Sequence, residues 1–466
     1  MVLLRHVDVD KCVIRRFKSL LASDNVKGRT VRGILATIWL AGGGQMLRFA
    51  SNLLLTRLLF PEAFGIMALV QVIIGGLVMF ADAGLRGSVV QNPRGDEPAF
   101  LDTVWTVQIL RGIALWLIIS LLAVVFSRFF QQPQLIHILP VAGVTLVIQG
   151  LHSTKVLSAQ RHLQLGRHAS LTLASQMIGL IGTAFLAYFL QTVWALAIGM
   201  LIQPTIALLL YARYLEGHRN RLALERASLR DIFNLGKFLS ISSIATYVMN
   251  QSDRAILGTA ITVDLLGIYG LALALAQIPT TLTQRIAGSV LFPLYRMRHP
   301  LDDLRNQTNL FKVRRLLVLA GCSMLSLVAL TGPWLVETLY DDRYKAAGGI
   351  AVLLAVALMP RMIMTGVMNS AVAKGNSFAM MAVNLSTAIV QLTILVALVP
   401  SFGIIGVSVA IGLAPVIVYP LVAYYSAQYK TWDGWGDLAF FVTSSTLTAY
   451  ALWLHWNDIQ TVVYLS

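Results

Sequence analysis

The sequence predicts an all-α polytopic membrane protein, and three observations carry that prediction. Of the 466 residues, 57% are hydrophobic and only 12% are charged, roughly half the charged share of a soluble domain, and the mean hydropathy is +0.73. Apolar runs of about 20 residues, each long enough to cross a hydrocarbon core of about 30 Å, recur from residue 33 to residue 455. The basic residues alternate in density from loop to loop instead of forming one patch.

Taken in order, residues 1–32 form a basic N-terminal segment that lacks the apolar core of a signal peptide. Val13, Ile14, Phe17, Leu20 and Leu21 share one broad face, with Lys11, Arg15, Arg16 and Lys18 around it. That pattern fits a short helix in the membrane interface, and equally a basic tail that only enforces topology. Six spans follow near 33–55, 64–84, 103–126, 135–153, 169–190 and 192–212, making an N-lobe over 33–212. A polar linker over 213–237 holds Arg213, Arg219, Arg221, Arg226, Arg230 and Lys237. Six more spans, near 238–260, 265–290, 314–336, 348–371, 377–399 and 403–426, make a C-lobe over 238–426. A C-terminal segment, 427–466, adds a thirteenth span at 437–455.

Topology follows from charge. Of 36 Lys and Arg, only Arg57, Arg128, Arg343 and Lys345 fall in one set of alternating loops, and Arg48, Arg111, Arg254, Arg285 and Arg361 lie within spans. The rest sit before the first span or in the opposite loops. The positive-inside rule then puts the N-terminus in the cytoplasm and, after thirteen spans, the C-terminus outside. The net charge of +15 is thereby explained by topology and attraction to anionic lipid headgroups, not by nucleic-acid binding. Cys12 and Cys322 give neither a disulfide framework nor metal-ligand spacing. No cofactor is expected.

The two halves repeat. Asn52-Leu53-Leu54-Leu55 aligns with Arg254-Ala255-Ile256-Leu257, and Pro61-Glu62-Ala63-Phe64-Gly65-Ile66 with Val263-Asp264-Leu265-Leu266-Gly267-Ile268. After a one-residue slip, Gly87-Ser88-Val89 meets Gly288-Ser289-Val290. Six spans per half give both halves the same orientation, a parallel repeat about an axis along the membrane normal. Outer loops are too short for a catalytic domain, and no Gly-x-x-x-x-Gly-Lys-Ser/Thr loop marks nucleotide hydrolysis. The chain is therefore read as a non-enzyme that works by moving helices.

Charge inside a bilayer is costly and by default functional. In the first span Thr37, Gln45, Arg48, Asn52 and Thr56 share one helical face; in the seventh, Tyr247, Asn250 and Arg254 do the same, beside Asp253. Matching placement in two halves predicts a cavity between them. Each Arg also has a structural reading. Arg48 can clamp backbone carbonyls of its own lobe, and Arg254 can pair with Asp253. Arg111, Arg285 and Arg361 lie at other depths, so the five together are expected to form a staircase of positive charge. Arg111 and Arg285 are near enough to the cytoplasm to snorkel. Asp82 fits an ion-coupling site, a cap or an inter-lobe latch. His152 and His168 flank a basic loop, Gly42-Gly43-Gly44 suits close helix packing, and Pro204, Pro279, Pro360 and Pro415 mark bends or kinks.

A family resemblance enters through Asn250-Gln251-Ser252-Asp253-Arg254-Ala255-Ile256-Leu257-Gly258, Leu266-Gly267-Ile268-Tyr269 and Leu291-Phe292-Pro293. The first half adds Leu58-Leu59-Phe60-Pro61-Glu62-Ala63-Phe64-Gly65, Asp82-Ala83-Gly84-Leu85 and Ala159-Gln160-Arg161, and the second Ala373-Lys374-Gly375-Asn376. As an ordered set over roughly residues 30–425, these resemble the polysaccharide-transporter (Wzx-type) oligosaccharide flippases of the multidrug/oligosaccharidyl-lipid/polysaccharide exporter superfamily. A thirteenth span departs from the usual twelve or fourteen helices.

The resemblance implies two pseudo-symmetric six-helix lobes in a V around a central cavity, to which the span count adds one extra C-terminal helix. It also implies a substrate, an undecaprenyl-diphosphate-linked oligosaccharide (an O-antigen, capsule or exopolysaccharide repeat unit) moved to the outer leaflet of a bacterial inner membrane. Membrane lipids and other polysaccharide-assembly proteins would be its partners. Without the resemblance, the residues stop at a transporter of something anionic. With it, Arg48, Gln45, Asn52, Arg254, Asn250, Arg361, Arg111 and Arg285 become the expected substrate-binding set. Arg supplies a permanently charged fork for diphosphate, and the amides suit sugar hydroxyls. Asp82 and Asp253 become candidates for ion coupling or gating. A cation-coupled multidrug exporter of the same superfamily is the alternative, and it would call for buried carboxylates. A membrane polymerase or glycosyltransferase would need a large outer loop, and a scaffold leaves the intramembrane Arg unexplained.

Overall fold

A computed structural model of the chain describes residues 26–80, 92–162, 165–303 and 305–465, with Leu85 and Val89. Side chains are described over 42–79, 92–162, 166–231, 243–303 and 305–463, and at Leu85 and Val89. Most of the basic N-terminal segment and Asp82 lie outside the described residues. All described regular elements are helical. In the first half they are α1 (Val26–Leu58), α2 (Pro61–Phe80), α3 (Pro98–Phe129), α4 (Leu135–Gly150), α5 (Lys155–Arg161), α6 (Leu165–Leu190) and α7 (Val193–Tyr214). The second half has α8 (Arg226–Ala260), α9 (Val263–Ile286), a π-helical turn (Ala287–Leu291), α10 (Phe292–Met297), α11 (Arg305–Leu339) and α12 (Ala347–Ile363). It ends with α13 (Asn369–Ala373), α14 (Ser377–Gln428), α15 (Gly434–Leu454) and α16 (Trp456–Leu465).

Local chemistry sets the boundaries. Pro61 and Pro98 open α2 and α3, where a missing N–H costs nothing. Thr262, Asn376 and Asp433 each turn a side-chain oxygen to the first-turn N–H groups of α9, α14 and α15, the usual N-cap device. The 52-residue α14 is two helices, broken where Gly403 takes φ 47°, a left-handed conformation that favours glycine. Eight described helices are long and apolar enough to cross a membrane, or nine if α4 and α5, bent by 58°, form one span. Every predicted span overlaps a helix or one half of α14, but thirteen crossings exceed this test. The helices of Arg48 and Arg254, α1 and α8, are only partly described and are not among the eight.

Three boundaries differ from the sequence reading. The first helix begins by Val26, inside the expected N-terminal segment. Much of the expected linker is helical, because α8 starts at Arg226; Glu225 at its entry accepts hydrogen bonds from Ser228 and from Arg94 (2.9 Å). The tenth span is shortened, since α12 stops at Ile363 and turns through Gly366 (φ 80°) into α13.

The helices pack as two groups. In the first, α3 lies on α4, α6 on α7, and α1 on α6; in the second, α11, α9 and α14 surround α12, and α8 lies on α14. Apart from Arg361, the α12 helix is apolar all round and is buried along nearly its whole length, as expected of a central helix. The groups meet where α2 packs on α9 and α8.

That seam is reciprocal. A Cβ on Gly65 would lie 1.9 Å from the Val263 carbonyl oxygen, and one on Gly267 would lie 2.0 Å from that of Pro61. Each glycine thus meets the first residue of the other half's matching helix, which places the pseudo-two-fold axis between α2 and α9. Beside it the Tyr344 hydroxyl donates to the Leu59 carbonyl (2.9 Å), and the Arg343 guanidinium stacks 4.7 Å over the Phe60 ring. We call this end of the bundle, which holds residues 58–65 and 260–267, the far end; the start of α1 lies at the near end.

Candidate functional site

Between the halves lies a cavity of about 480 Å³ that continues into a pocket of about 260 Å³. Arg48, Ser51 and Asn52 reach both spaces from α1, and Arg254 reaches both from α8. Gln45 lines the smaller pocket with Gln277 and Thr281 of α9, and the larger adds Gln71, Gln176, Thr183 and Gln203. Gln45, Arg48 and Asn52 share one face because they fall at helical spacing. Arg254 faces them because the seam brings α8 and α9 against the first half.

The two cations differ in support. Arg48 is exposed to the cavity and makes no hydrogen bond or ion pair among the described residues. Arg254 donates from Nη1 to Gln251 Oε1 (3.1 Å), while its buried Nε has no partner. The possible Arg254–Asp253 pair does not form. Asp253 is buried and its Oδ2 accepts from the Tyr269 hydroxyl (2.5 Å), leaving Oδ1 without a hydrogen bond. Adjacent residues on a helix point about 100° apart, so the acid turns into the second half while the Arg turns to the cavity.

The expected staircase does not assemble. Arg361 donates to Asn250 Oδ1 (3.0 Å), so these two satisfy each other within the second half, and neither lines the central spaces. Arg285 is exposed on α9 and lines neither central space. Arg111 lines a second chamber within the first half and donates to the Val78 carbonyl (3.3 Å). Beside it, His152 contacts the Pro204 carbonyl (3.0 Å), and His152 and His168 both pack edge-on against Tyr211.

Sequence reading missed Gln71, Gln176, Thr183 and Gln203. Their signal was present, since an amide in an apolar span is costly unless it finds a partner; no charge drew attention to them. Among the described residues, no Asp or Glu lines the two central spaces or the first-half chamber. The site can therefore bind an anion between two guanidiniums from opposite halves, with hydroxyls and amides for a polar remainder. It has no arrangement suited to a cationic ligand.

Two matching helical groups around a central cavity define the architecture of a multi-pass membrane protein. The chain belongs to the family described as polysaccharide biosynthesis protein, which it matches over residues 54–348. It is 22% identical over 297 residues to the teichuronic acid biosynthesis protein TuaB of Bacillus subtilis (strain 168), an alignment covering 64% of this chain and 61% of that relative. The aligned part thus spans about three fifths of that relative's length. The fold is similar to that of the lipid II flippase MurJ in an inward closed conformation (TM-score 0.67, 14% identity, 91% of this chain and 92% of that one). It is also similar to an inward-facing multidrug resistance MATE family transporter (TM-score 0.64, 12% identity, 85% and 99%).

Proposed function

We propose that this protein flips a polyprenyl-diphosphate-linked oligosaccharide across a bacterial inner membrane by alternating access. The single observation that carries the reading is the pairing of Arg48 and Arg254, one from each half, in a cavity whose described lining holds no carboxylate. A diphosphate bridging them would bind both halves at once. That gives the ligand the differential affinity between lobe arrangements that any shift in their equilibrium requires. Low-identity fold similarity supports flippases and multidrug transporters alike, so the reading rests on the cavity chemistry and the polysaccharide family. The multidrug alternative requires acids where this cavity has cations.

In this reading residues 33–212 and 238–426 act as N- and C-lobes, and the near end faces the cytoplasm, as the basic loops indicate. With the far end sealed, the cavity would receive substrate from the inner leaflet while the polyprenyl tail stays in lipid. The protein would do no covalent chemistry and would work beside the enzymes that build and polymerise the glycan. Arg48→Ala and Arg254→Ala should each abolish surface polysaccharide in cells where the protein level and insertion are unchanged. Normal polysaccharide in both single variants would overturn the assignment.

A further inference from the structure

The first half contains more binding surface than a diphosphate needs. A chamber of about 830 Å³ runs between α2, α3, α4, α6 and α7 and joins the central cavity at Gln71 and Gln203, which line both spaces. Its size lies within the about 300–1,000 Å³ of small-molecule pockets. Gln71, Gln149 and Gln203 are exposed to it. Gln108 Oε1 and Thr145 Oγ1 are buried in its wall with no hydrogen-bond partner, although most buried polar atoms are paired. Among the described residues Arg111 is the one permanently charged cation lining it, and no carboxylate does.

We propose that this chamber holds the sugars of the substrate while the diphosphate stays between Arg48 and Arg254; the proposal rests on the flippase reading above. An amide donates and accepts at fixed positions, and so does a sugar hydroxyl, so a wall of amides matches a polyol at several points. Lone phosphate would call for more cations, and an apolar drug would leave these amides desolvated and unpaired. Among the described residues the second half shows no matching polar chamber. Its fourth helix, α12, is buried along almost its whole length, and α15 and α16 pack against it. The glycan therefore leans into the first half only, and the two pseudo-symmetric halves take different parts of one ligand.

The test compares two probes on the purified full chain in nanodiscs: undecaprenyl diphosphate, and the same carrier bearing a hexose disaccharide. Wild-type protein should bind the glycosylated probe more tightly. A Gln108→Leu/Gln149→Leu double variant should weaken that binding by about tenfold, the effect of losing two ordinary hydrogen bonds, and leave bare-carrier affinity unchanged. Thr145→Val, which keeps shape and removes only the hydroxyl, should act in the same direction more weakly. Equal wild-type affinity for both probes, or a double variant that weakens both by the same factor or neither, overturns the chamber assignment. If Arg48→Ala leaves both affinities unchanged, it is the diphosphate site that fails.

Discussion

At the residue scale, the five intramembrane arginines separate by what each one touches. Arg48 and Arg254 share a cavity, while Arg361 is held by Asn250 Oδ1. The sequence treats Arg254 and Arg361 alike, since both are cations in apolar spans. Contacts separate them, and those contacts give opposite expectations. Arg361→Ala should leave Asn250 without its partner in the second half, at a cost of about 1–3 kcal/mol, and leave affinity for undecaprenyl diphosphate unchanged. Arg48→Ala should weaken that affinity by about tenfold or more, the loss expected of a charged hydrogen bond, without lowering thermal stability. Thermal unfolding and carrier binding measured on both variants check the division, and an Arg361→Ala variant that loses carrier affinity would contradict it.

At the element scale, the clearest addition concerns the thirteenth helix, α15, whose role the sequence left open. Arg314, counted from sequence among the basic loop residues, is 2% exposed inside α11, and it donates to Asp437 Oδ1 and to the Ile363 carbonyl, each at 2.7 Å. It joins three helices, and breaking such a buried pair typically costs about 3–5 kcal/mol. The next residue, Arg315, makes two hydrogen bonds to Asp433 (2.6 and 2.7 Å), one turn before Asp437, and the Asp433 carboxylate also caps α15. Burial alone would push the Asp433 carboxyl up, but Arg315 and the Gly436 N–H together hold it below the usual carboxylate range. A depressed folded pKa contributes stability above the unfolded value near 3.9, and this is lost as pH falls through the folded value. Thermal stability of the wild type should therefore drop below about pH 4, whereas Asp433→Asn should start lower at neutral pH and lose less on acidification. Parallel pH profiles for the two proteins would refute this linkage.

At the scale of the whole molecule, the seam fixes which end of the cavity is closed. Gly65 and Gly267 let backbone meet backbone at matching points of the two halves, and any side chain there displaces a carbonyl. Gly65→Ala and Gly267→Ala should each part the far end, since overpacking costs about 1–3 kcal/mol and falls only on the sealed arrangement. Spin labels at Glu62→Cys and Asp264→Cys, in a background with Cys12 and Cys322 replaced by Ser, should report a longer and broader distance distribution in either glycine variant. An unchanged distribution would show that the glycines do not hold the seal.

The sequence by itself determined the all-helical class, the repeat of the two halves, and the helical face that carries Gln45, Arg48 and Asn52. Each of these is a local property: hydropathy over about 20 residues, periodicity along one helix, and similarity between aligned segments. Tertiary structure alone decided that Arg254 joins Arg48 while Asn250 takes Arg361, that Asp253 turns to Tyr269, and that Arg314 anchors α15 through Asp437. It also decided that glutamines from α2, α3, α4, α6 and α7 line connected spaces. Hydropathy places a polar residue in the membrane without saying which helix it faces. Its partner is set by how the helices cross, and that crossing depends on side chains hundreds of positions away in the chain.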